Sequence, residues 1–415
     1  MIPQHRSRQK SLLRWSHVTA IVVIVFIGAS WTMDVTKFYD VSIRVEETGS
    51  PEVITLGSFS QQERPLKTAA PETGWWTPFG NSIARVWHDV NVDHHPKCFP
   101  INRSIWKDIP AHGDEVRGLI YIKSHKASSS TAEGVNLALA HHWIPAPSSE
   151  LKCEHYNRHI FANQKWHARR NRTASLLWTL VRHPRARDVS HVYHFRVSRQ
   201  GMDPQSPAFW TALRRQKSTQ VNYLGVTSFP QGNRSKGDNL VGWIQTKIME
   251  EYDFIGVTER MTTSLAVMSL LWHIDPSHLV VLSAKQSQRG SYDAGGRRKI
   301  CTKLVAPPNP IPDQLSNFLN SPSYLEENWD FVLYHAVNKS LDITIEKLGK
   351  ERVEKQAALL DHLQQLAETE CRPKAVFPCS QDGTYQEDIS NCYIQDSGCG
   401  YECVDEVMRG YSRNG

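Results

Sequence analysis

Apolar runs alternate with helix-type patterns along the middle of the chain. Between about residue 116 and about residue 305, the strand-like runs cover residues 119–122, 176–181, 254–257 and 279–282. Strands that alternate with helices are typical of a parallel sheet with helices on its faces. We therefore predict an α/β fold, and the segment is long enough to bury the core of one domain.

The C-terminal third has a different pattern. Residues 313–348 and 350–369 have helical periodicity, and the second segment places four leucines on one side: Leu359, Leu360, Leu363 and Leu366. We predict a main domain over residues 116–350, a helix over 351–370 and a separate tail over 371–415.

The N-terminus has the pattern of a membrane anchor. Several basic residues within 1–14 precede a run without formal charge over residues 15–33, which as a helix is about 28 Å long. Basic residues before the run favour a cytosolic tail, residues 1–14, and a lumenal remainder. Residues 34–115 are then a stem and entry segment. The alternative is a cleaved signal peptide that ends near Gly28-Ala29-Ser30, and it also directs the chain into the secretory route.

Cysteine usage agrees with an oxidising compartment. The chain has eight cysteines, and their uneven spacing without a CxxC pair favours disulfides over zinc. Five of them crowd the tail: Cys371, Cys379, Cys392, Cys399 and Cys403. Because five is odd, complete pairing requires a bridge from the tail to one of the others: Cys98, Cys153 or Cys301.

Charge and sequons narrow the range of partners. The net charge of +6 is small for 415 residues, so we predict no nucleic-acid binding, while an acidic glycan is permitted. N-x-[ST] sequons support the secretory address; they lie at Asn102, Asn171, Asn233 and Asn338.

The first apolar run leads into a loop with the layout of a phosphate cradle. A strand feeds small residues that open a helix, and the loop comprises Lys126, Ala127, Ser128, Ser129, Ser130 and Thr131. Backbone N–H groups at a helix N-terminus stabilise an anionic oxygen, and a lysine adds a mobile charge. The glycines and the GK[ST] ending of an ordinary nucleotide loop are absent. An exposed turn with a serine N-cap is the alternative.

The second apolar run leads into another candidate anion site. Arg182 stands at its end, and Ser190 lies about two helical turns further on. An arginine and a hydroxyl at this spacing can hold one phosphate through charge-assisted hydrogen bonds. The alternatives are a surface ion pair of Arg182 with Asp188 and a plain helix-face role for Ser190. Two such sites on successive strands suggest a nucleotide with phosphates at both ends of its ribose.

Taken in order, these motifs resemble the Golgi carbohydrate sulfotransferases, especially the galactose 3-O-sulfotransferase-like group and its heparan 2-O-sulfotransferase relatives. "KSHKASSST" is similar to their 5′-phosphosulfate loop, and "LVRHPRARDVSHVYHF" to their 3′-phosphate segment. "EEYDFIGVTERMTTSLAVMSLLW" and "NWDFVLYHAVNKSLDITIEKLG" also resemble the family, so the likeness covers about residues 115–350. Two positions depart from the pattern: Ala127 replaces a threonine, and His183 replaces an acid before Pro184.

The resemblance implies a P-loop-like parallel sheet and 3′-phosphoadenosine 5′-phosphosulfate (PAPS) as co-substrate, without a metal. Lys126 would hold the 5′-phosphosulfate and neutralise charge on the leaving oxygen, with residues 127–131 cradling the same group. Arg182 and Ser190 would bind the 3′-phosphate. The acceptor would be a glycan hydroxyl of a glycolipid, glycoprotein or polysaccharide, and the enzyme would lie in the Golgi membrane with its catalytic domain in the lumen.

The acceptor hydroxyl needs a base, for which histidine is the usual residue. His159 is the first candidate, because the family's base lies at a similar distance before the 3′-phosphate arginine. His155 and His167 are the alternatives. A group of ligand-type residues lies outside the resemblance, and we predict no metal site there: His88, Asp89, Asp93, His94 and His95.

Two other functions remain open from the sequence. A nucleotide kinase would share a P-loop-like core, but it would need a Walker lysine after glycine and an acidic magnesium ligand. A non-catalytic secretory-pathway glycoprotein with a degenerate nucleotide site is the second alternative. Retention of Lys126, Arg182 and Ser190 together favours the sulfotransferase.

Overall fold

The structure is a computed structural model. It describes residues 43–44, 53–54, 73–90, 116–142, 159, 161–162, 170–230, 237–284, 292–295, 300–326, 328–387 and 391–414. The chain divides into two units, Met1–Gln62 and Glu63–Gly415. The described part of the first unit is one short antiparallel pair, β1 (Ile43–Arg44) with β2 (Val53–Ile54). The second unit contains every residue whose contacts are described below.

The second unit is a mixed α/β structure. Its strands are β3 (Val116–Tyr121), β4 (Arg170–Val181), β5 (Phe254–Val257), β6 (Tyr292–Gly295) and β7 (Ile300–Lys303). Its helices are α1 (Trp76–Ile83), α2 (Ser129–His142), α3 (Pro184–Val192), α4 (Pro207–Arg214), α5 (Thr219–Leu224), α6 (Gly237–Ile244), α7 (Met261–Trp272), α8 (Asp313–Leu319), α9 (Pro322–Leu325), α10 (Asp330–Leu348), α11 (Lys350–Cys371) and α12 (Tyr401–Asn414). Helix α3 continues into a π-helical turn, Tyr193–Ser198, and α6 continues into another, Gln245–Met249.

The predicted parallel sheet is present. Strands β3, β4 and β5 lie side by side in that order and are all parallel. Leu119 pairs with Leu176, and Trp178 pairs with both Tyr121 and Phe254. These side chains are buried, as expected for a parallel sheet covered by helices on both faces. The α/β prediction and three of its four strand-like runs are confirmed.

The prediction of a strand over residues 279–282 is wrong. Leu279 ends a 3₁₀ turn, Pro276–Leu279, and residues 280–282 form no ladder with the sheet. The backbone of this segment is bound by later side chains instead: Gln364 of α11 donates to the Val281 carbonyl at 3.0 Å, and Arg372, which directly follows α11, donates to that of the next residue, Ser283, at 2.9 Å. The run is apolar because Val280 and Leu282 pack against the C-terminal helices.

The entry segment belongs to the same core as the sheet. On α1, the ring of Trp76 stacks on Phe331 of α10 at 4.5 Å. A Cβ at Gly80 would lie 3.1 Å from the carbonyl oxygen of Val332, so glycine permits this close approach of the two helices. Trp87 is also buried, and its backbone N–H donates to Thr344 Oγ1 at 2.9 Å. Residues 73–90 therefore contribute to the folded domain and not only to a stem.

The tail is closed by disulfides, as predicted. Two lie within it, Cys371–Cys403 and Cys392–Cys399, and the third joins Cys379 to Cys301 of strand β7. This third bridge is the predicted link from the tail to the rest of the chain. Cys98 and Cys153 lie outside the described residues. The tail also buries a small apolar cluster against α11, in which Leu363 and Ala367 of α11 contact Val404 and Met408 of α12.

The membrane and stem predictions fall largely on residues outside the described ranges. The uncharged run over residues 15–33 lies among them. Within the described ranges, none of the helices combines the length and the apolar character needed to cross a bilayer.

We predict that the two disulfides within the tail differ in their contribution to stability. Replacing both cysteines of Cys371–Cys403 by serine should lower the free energy of unfolding by about 4 kcal/mol, because this bridge closes the longer loop. The same change at Cys392–Cys399 should cost about 2 kcal/mol. The sequence separations are 32 and 7. Urea unfolding of the two double variants measures the difference, and an equal loss would contradict the loop-length argument.

Candidate active site

The two predicted anion-binding segments meet at one edge of the sheet. Strands β3 and β4 are parallel neighbours, so the segments that follow them lie at the same edge. The guanidinium of Arg182 donates from Nη1 to the backbone carbonyl of Lys126 at 3.1 Å. The structure thus brings together the residues on which the sequence prediction depended most.

The loop after β3 has an unusual backbone. Lys126 and Ser128 have φ values of 64° and 50°, in the left-handed region that non-glycine residues seldom adopt. Helix α2 then begins at Ser129, and Ala132 N–H donates to the Ser128 carbonyl at 3.0 Å. Such local strain often marks a functional site. The loop therefore leads directly into the N-terminus of a 14-residue helix.

The side chains of this loop divide by exposure. Ala127 is fully buried, so this side chain contributes packing. The others are half-buried: Lys126, Ser128, Ser129, Ser130 and Thr131. Thr131 Oγ1 donates to Ser283 Oγ at 3.2 Å, which connects the start of α2 to the segment after Leu282.

The backbone of Arg182 is held on both sides by one side chain. Gln220 of α5 accepts from the Arg182 N–H and donates to its carbonyl, both at 2.8 Å. The buried carboxylate of Asp330 holds α5 in turn, because it accepts from the N–H groups of Gln220 and Val221 at 3.0 and 2.8 Å. The guanidinium of Arg182 also lies 3.8 Å from Glu259. The arginine is therefore positioned at the carboxyl end of β4 with its head group only partly exposed.

The suggested ion pair between Arg182 and Asp188 is wrong. Asp188 pairs with its neighbour Arg187 at 2.8 Å, and both side chains are completely buried. Asp188 also accepts from the hydroxyl of Tyr324 at 2.8 Å. Burial raises the pKa of Asp188 to about 7, although the charge of Arg187 opposes this shift.

Arg187 is hydrogen-bonded to the loop that follows β3. Its Nε donates to the carbonyl of His125 at 3.2 Å, and its Nη1 donates to Gln216 Oε1 at 3.2 Å. The sequence analysis did not select Arg187, since nothing in "HPRARD" distinguishes it from the neighbouring arginines.

Ser190 lies in the second turn of α3 and is half-buried, as its spacing from Arg182 predicted.

His159 lies next to the loop, and its tautomer follows from one contact. Its Nδ1 is 2.9 Å from the backbone carbonyl of Lys123. A carbonyl oxygen can only accept, so Nδ1 carries the proton. In the neutral ring the lone pair is then on Nε2, as a general base requires. The other histidine candidates, His155 and His167, lie outside the described residues.

A second histidine, which the sequence analysis missed, contacts the first. The ring of His125 stacks on His159 with centroids 3.7 Å apart and planes 14° from parallel. His191, Phe195 and Tyr223 surround His125 at centroid distances between 5.2 and 6.0 Å. His125 stands within the motif "KSHKASSST", so its position in that motif was the available signal.

The environment of His125 and His191 lowers the pKa of both imidazoles. Burial lowers the pKa of His125 to about 4, with further lowering by the positive charges of Arg187, Lys123 and Lys126. Burial and Arg187 also lower the pKa of His191. Positive charge that favours an anionic ligand therefore also disfavours an imidazolium ion in the same place.

No metal site is apparent in the part of the chain that the structure describes. No group of three or more His, Cys, Asp or Glu side chains there could hold an ion. His88 and Asp89 belong to this part, whereas Asp93, His94 and His95 lie outside it.

Comparison of the chain with protein-family models, with curated proteins and with solved structures found no match. The motifs and this geometry therefore carry the functional argument.

We predict that the protein loses stability on mild acidification. The pKa of His125 is about 4 in the folded state and ~6.5 in an unfolded chain. Between these values the unfolded chain binds more protons at His125, so the contribution of this residue to stability falls as the pH decreases from about 6.5 towards 4. Urea unfolding at pH 6.5 and pH 5 should show this loss, and His125→Asn should reduce it. If the pH dependence of stability were the same in the variant as in the wild type, His125 would not be the residue responsible.

Proposed function

We propose that the protein transfers the sulfuryl group of PAPS to a hydroxyl of a glycan. The observation that carries this proposal is the hydrogen bond from Arg182 to the Lys126 carbonyl. It supports one continuous anion site built from two strand ends, as a nucleotide with phosphates at both the 3′ and 5′ positions needs. The family resemblance of the same two segments supports the same function.

The residues fit this co-substrate. Lys126 and the N-terminus of α2 would hold the 5′-phosphosulfate, with donors from Ser128 to Thr131. Arg182 and Ser190 would hold the 3′-phosphate. When bound, PAPS would supply an activated sulfuryl group, with 3′-phosphoadenosine 5′-phosphate as its leaving group. Lys126 then stabilises the charge that develops on the leaving oxygen, a role comparable to charge stabilisation in phosphoryl transfer.

The loop is P-loop-like in position but has its own chemistry. An ordinary nucleotide loop uses glycines where its backbone must adopt left-handed conformations. Here Lys126 and Ser128 take up those conformations. The small side chains around them still let backbone N–H groups approach an anion. A P-loop-like sulfotransferase core is therefore the finer fold assignment that we propose.

His159 is the proposed base. Its Nε2 lone pair accepts the proton of the acceptor hydroxyl as the new sulfur–oxygen bond forms, while Nδ1 remains bound to the Lys123 carbonyl. Stacking on His125 restricts rotation of the ring. His155 remains the alternative base suggested by the resemblance.

We also propose a Golgi location with the domain in the lumen and an anchor over residues 15–33. Three disulfides among the described cysteines support an oxidising compartment. The proposed acceptor, a glycan of the secretory route, is found in the same place. We propose no nucleic-acid partner.

The function is tested by sulfate transfer. Protein comprising residues 63–415 should move labelled sulfate from PAPS to an oligosaccharide acceptor, and EDTA should not reduce the rate, because lysine, arginine and backbone N–H groups supply the stabilising charge. Acceptors of several sugar types are tried in parallel. Magnesium-dependent phosphoryl transfer from ATP would instead identify a kinase.

We predict different defects for the two charged residues. Lys126→Ala should abolish turnover, since it removes charge next to the leaving oxygen. Arg182→Ala should mainly weaken nucleotide binding, by about ten- to a hundredfold, because one charged hydrogen bond contributes roughly 1.5–3 kcal/mol. Titration with 3′-phosphoadenosine 5′-phosphate measures the affinities, and exposed Lys339→Ala is the control. Wild-type affinity in Arg182→Ala would show that the 3′ site is misplaced.

We predict that His159→Ala lowers kcat by about 10²–10⁴-fold and leaves nucleotide affinity unchanged. The acidic limb of the pH–rate profile should disappear in this variant. His335→Ala on α10, which is half-buried and hydrogen-bonded to Asn81, is the control. If His159→Ala stays active while His155→Ala does not, the base is His155. Full activity in both variants would exclude a histidine base in this segment.

A further inference from the structure

A short loop of the tail is held rigidly against helix α2. The disulfide Cys392–Cys399 closes this tail loop, residues 392–399. Within it, Ile394 and Ser397 exchange two backbone hydrogen bonds, at 3.3 and 2.7 Å. Gln395 at its tip has a φ of 44°. The loop therefore presents its side chains in a fixed arrangement.

One side chain of the tail loop reaches a buried ion pair. The hydroxyl of Ser397 donates to Glu133 Oε2 on α2, and the same oxygen contacts the ammonium group of Lys123. The side chains of Lys123 and Glu133 are 9% and 4% exposed, and Ser397 is 1% exposed. Ser397, which is 264 residues from Glu133 in sequence, thus completes a buried group of three polar side chains.

The ion pair depends on its third member. Burial raises the pKa of Glu133, whereas Lys123 and the hydrogen bond from Ser397 oppose that shift. A buried carboxylate that loses a donor is costly, because no water replaces the hydrogen bond. Removal of the Ser397 hydroxyl therefore weakens the charged form of Glu133 and, with it, the hold on Lys123.

The tail contacts the same helix at further points. A Cβ on Gly134 would lie 3.1 Å from the backbone nitrogen of Gly398, so the tail loop packs directly on the helix backbone. At the other end of α2, Asp405 of α12 contacts His141 and His142 at 3.3 and 3.1 Å. The tail is therefore attached along α2 from its second turn to its last.

This attachment leads to the candidate active site by two routes. Helix α2 carries Ser129, Ser130 and Thr131 at its N-terminus. Lys123, which Glu133 holds through its ammonium group, binds His159 through its backbone carbonyl. Both the anion-binding loop and the proposed base therefore depend on groups that the tail loop fixes.

We propose that the tail loop is a positioning element of the active site, with Ser397 and Glu133 as positioning residues. Ser397 orients Glu133, Glu133 holds Lys123, and Lys123 sets the place of the anion-binding loop and of His159. The catalytic part of this inference rests on the proposed function, whereas the structural part does not. The tail lies outside residues 115–350, the segment that resembles the sulfotransferases.

The structural part is tested by hydrogen–deuterium exchange of the whole chain. Ser397→Ala should speed exchange in the segment 122–131 by roughly five- to thirtyfold, the range expected for one buried hydrogen bond. Ser380→Ala is the matched control, since it removes another serine–carboxylate hydrogen bond of the tail, to exposed Asp382. Unchanged exchange in the Ser397 variant would overturn the proposal, whatever the protein binds.

A second variant covers the case in which Ser397→Ala fails to fold. Glu133→Gln keeps the size of the side chain but removes the charge that holds Lys123. It should speed exchange in the same segment and shift the acidic limb of the pH–rate profile to lower pH, because the uncompensated ammonium group disfavours a charged His159. A merely structural role would leave this limb in place, and that result contradicts the proposal.

Nucleotide titration distinguishes a failure of the proposed function from a failure of the positioning role of the tail loop. If wild-type protein binds no 3′-phosphoadenosine 5′-phosphate, the proposed function fails, while exchange still decides whether the tail positions the loop. If wild-type protein binds it, both variants should lower kcat at least several-fold, whereas Ser380→Ala should not. Wild-type kcat in both variants would overturn the catalytic part of the inference.

Discussion

The parallel pairing of β3 with β4 determines where positive charge gathers in this molecule. Both strands end at the same edge, so the residues that follow them become neighbours although they are far apart in sequence. Arg182 can then reach the Lys126 carbonyl. This one pairing places three features at the same edge of the sheet: the left-handed backbone at Lys126 and Ser128, the start of α2 and the fixed backbone of Arg182.

Concentrated positive charge must be balanced within the fold. Lys123 is balanced by Glu133, and Arg187 by Asp188; all four side chains are buried or nearly so. The same charges lower the pKa of the neighbouring imidazole of His125. The arrangement that we propose for an anionic nucleotide is thus one in which His125 is held unprotonated, and a neutral histidine is what proton abstraction requires.

The sequence predicted those features that depend on local pattern. The strands β3, β4 and β5 appear as apolar runs, and the contact between the Lys126 and Arg182 segments follows from their places after neighbouring strands. The fourth run is not a strand, because its backbone is bound by Gln364 of α11 and by Arg372 just after that helix, which lie about 80 to 90 residues later. Periodicity carries no information about such distant partners. Ser397 and Glu133 escaped prediction for the same reason, whereas His125 could have been chosen from its motif.

The central claim is that the two strand ends form one site for a nucleotide phosphorylated at both the 3′ and 5′ positions. Calorimetric titration of the protein comprising residues 63–415 with 3′-phosphoadenosine 5′-phosphate and with adenosine 5′-monophosphate tests this most directly. The first nucleotide should bind at least about tenfold more tightly than the second, since the 3′-phosphate adds charged hydrogen bonds. Equal affinity for the two nucleotides, or binding of neither, would contradict it.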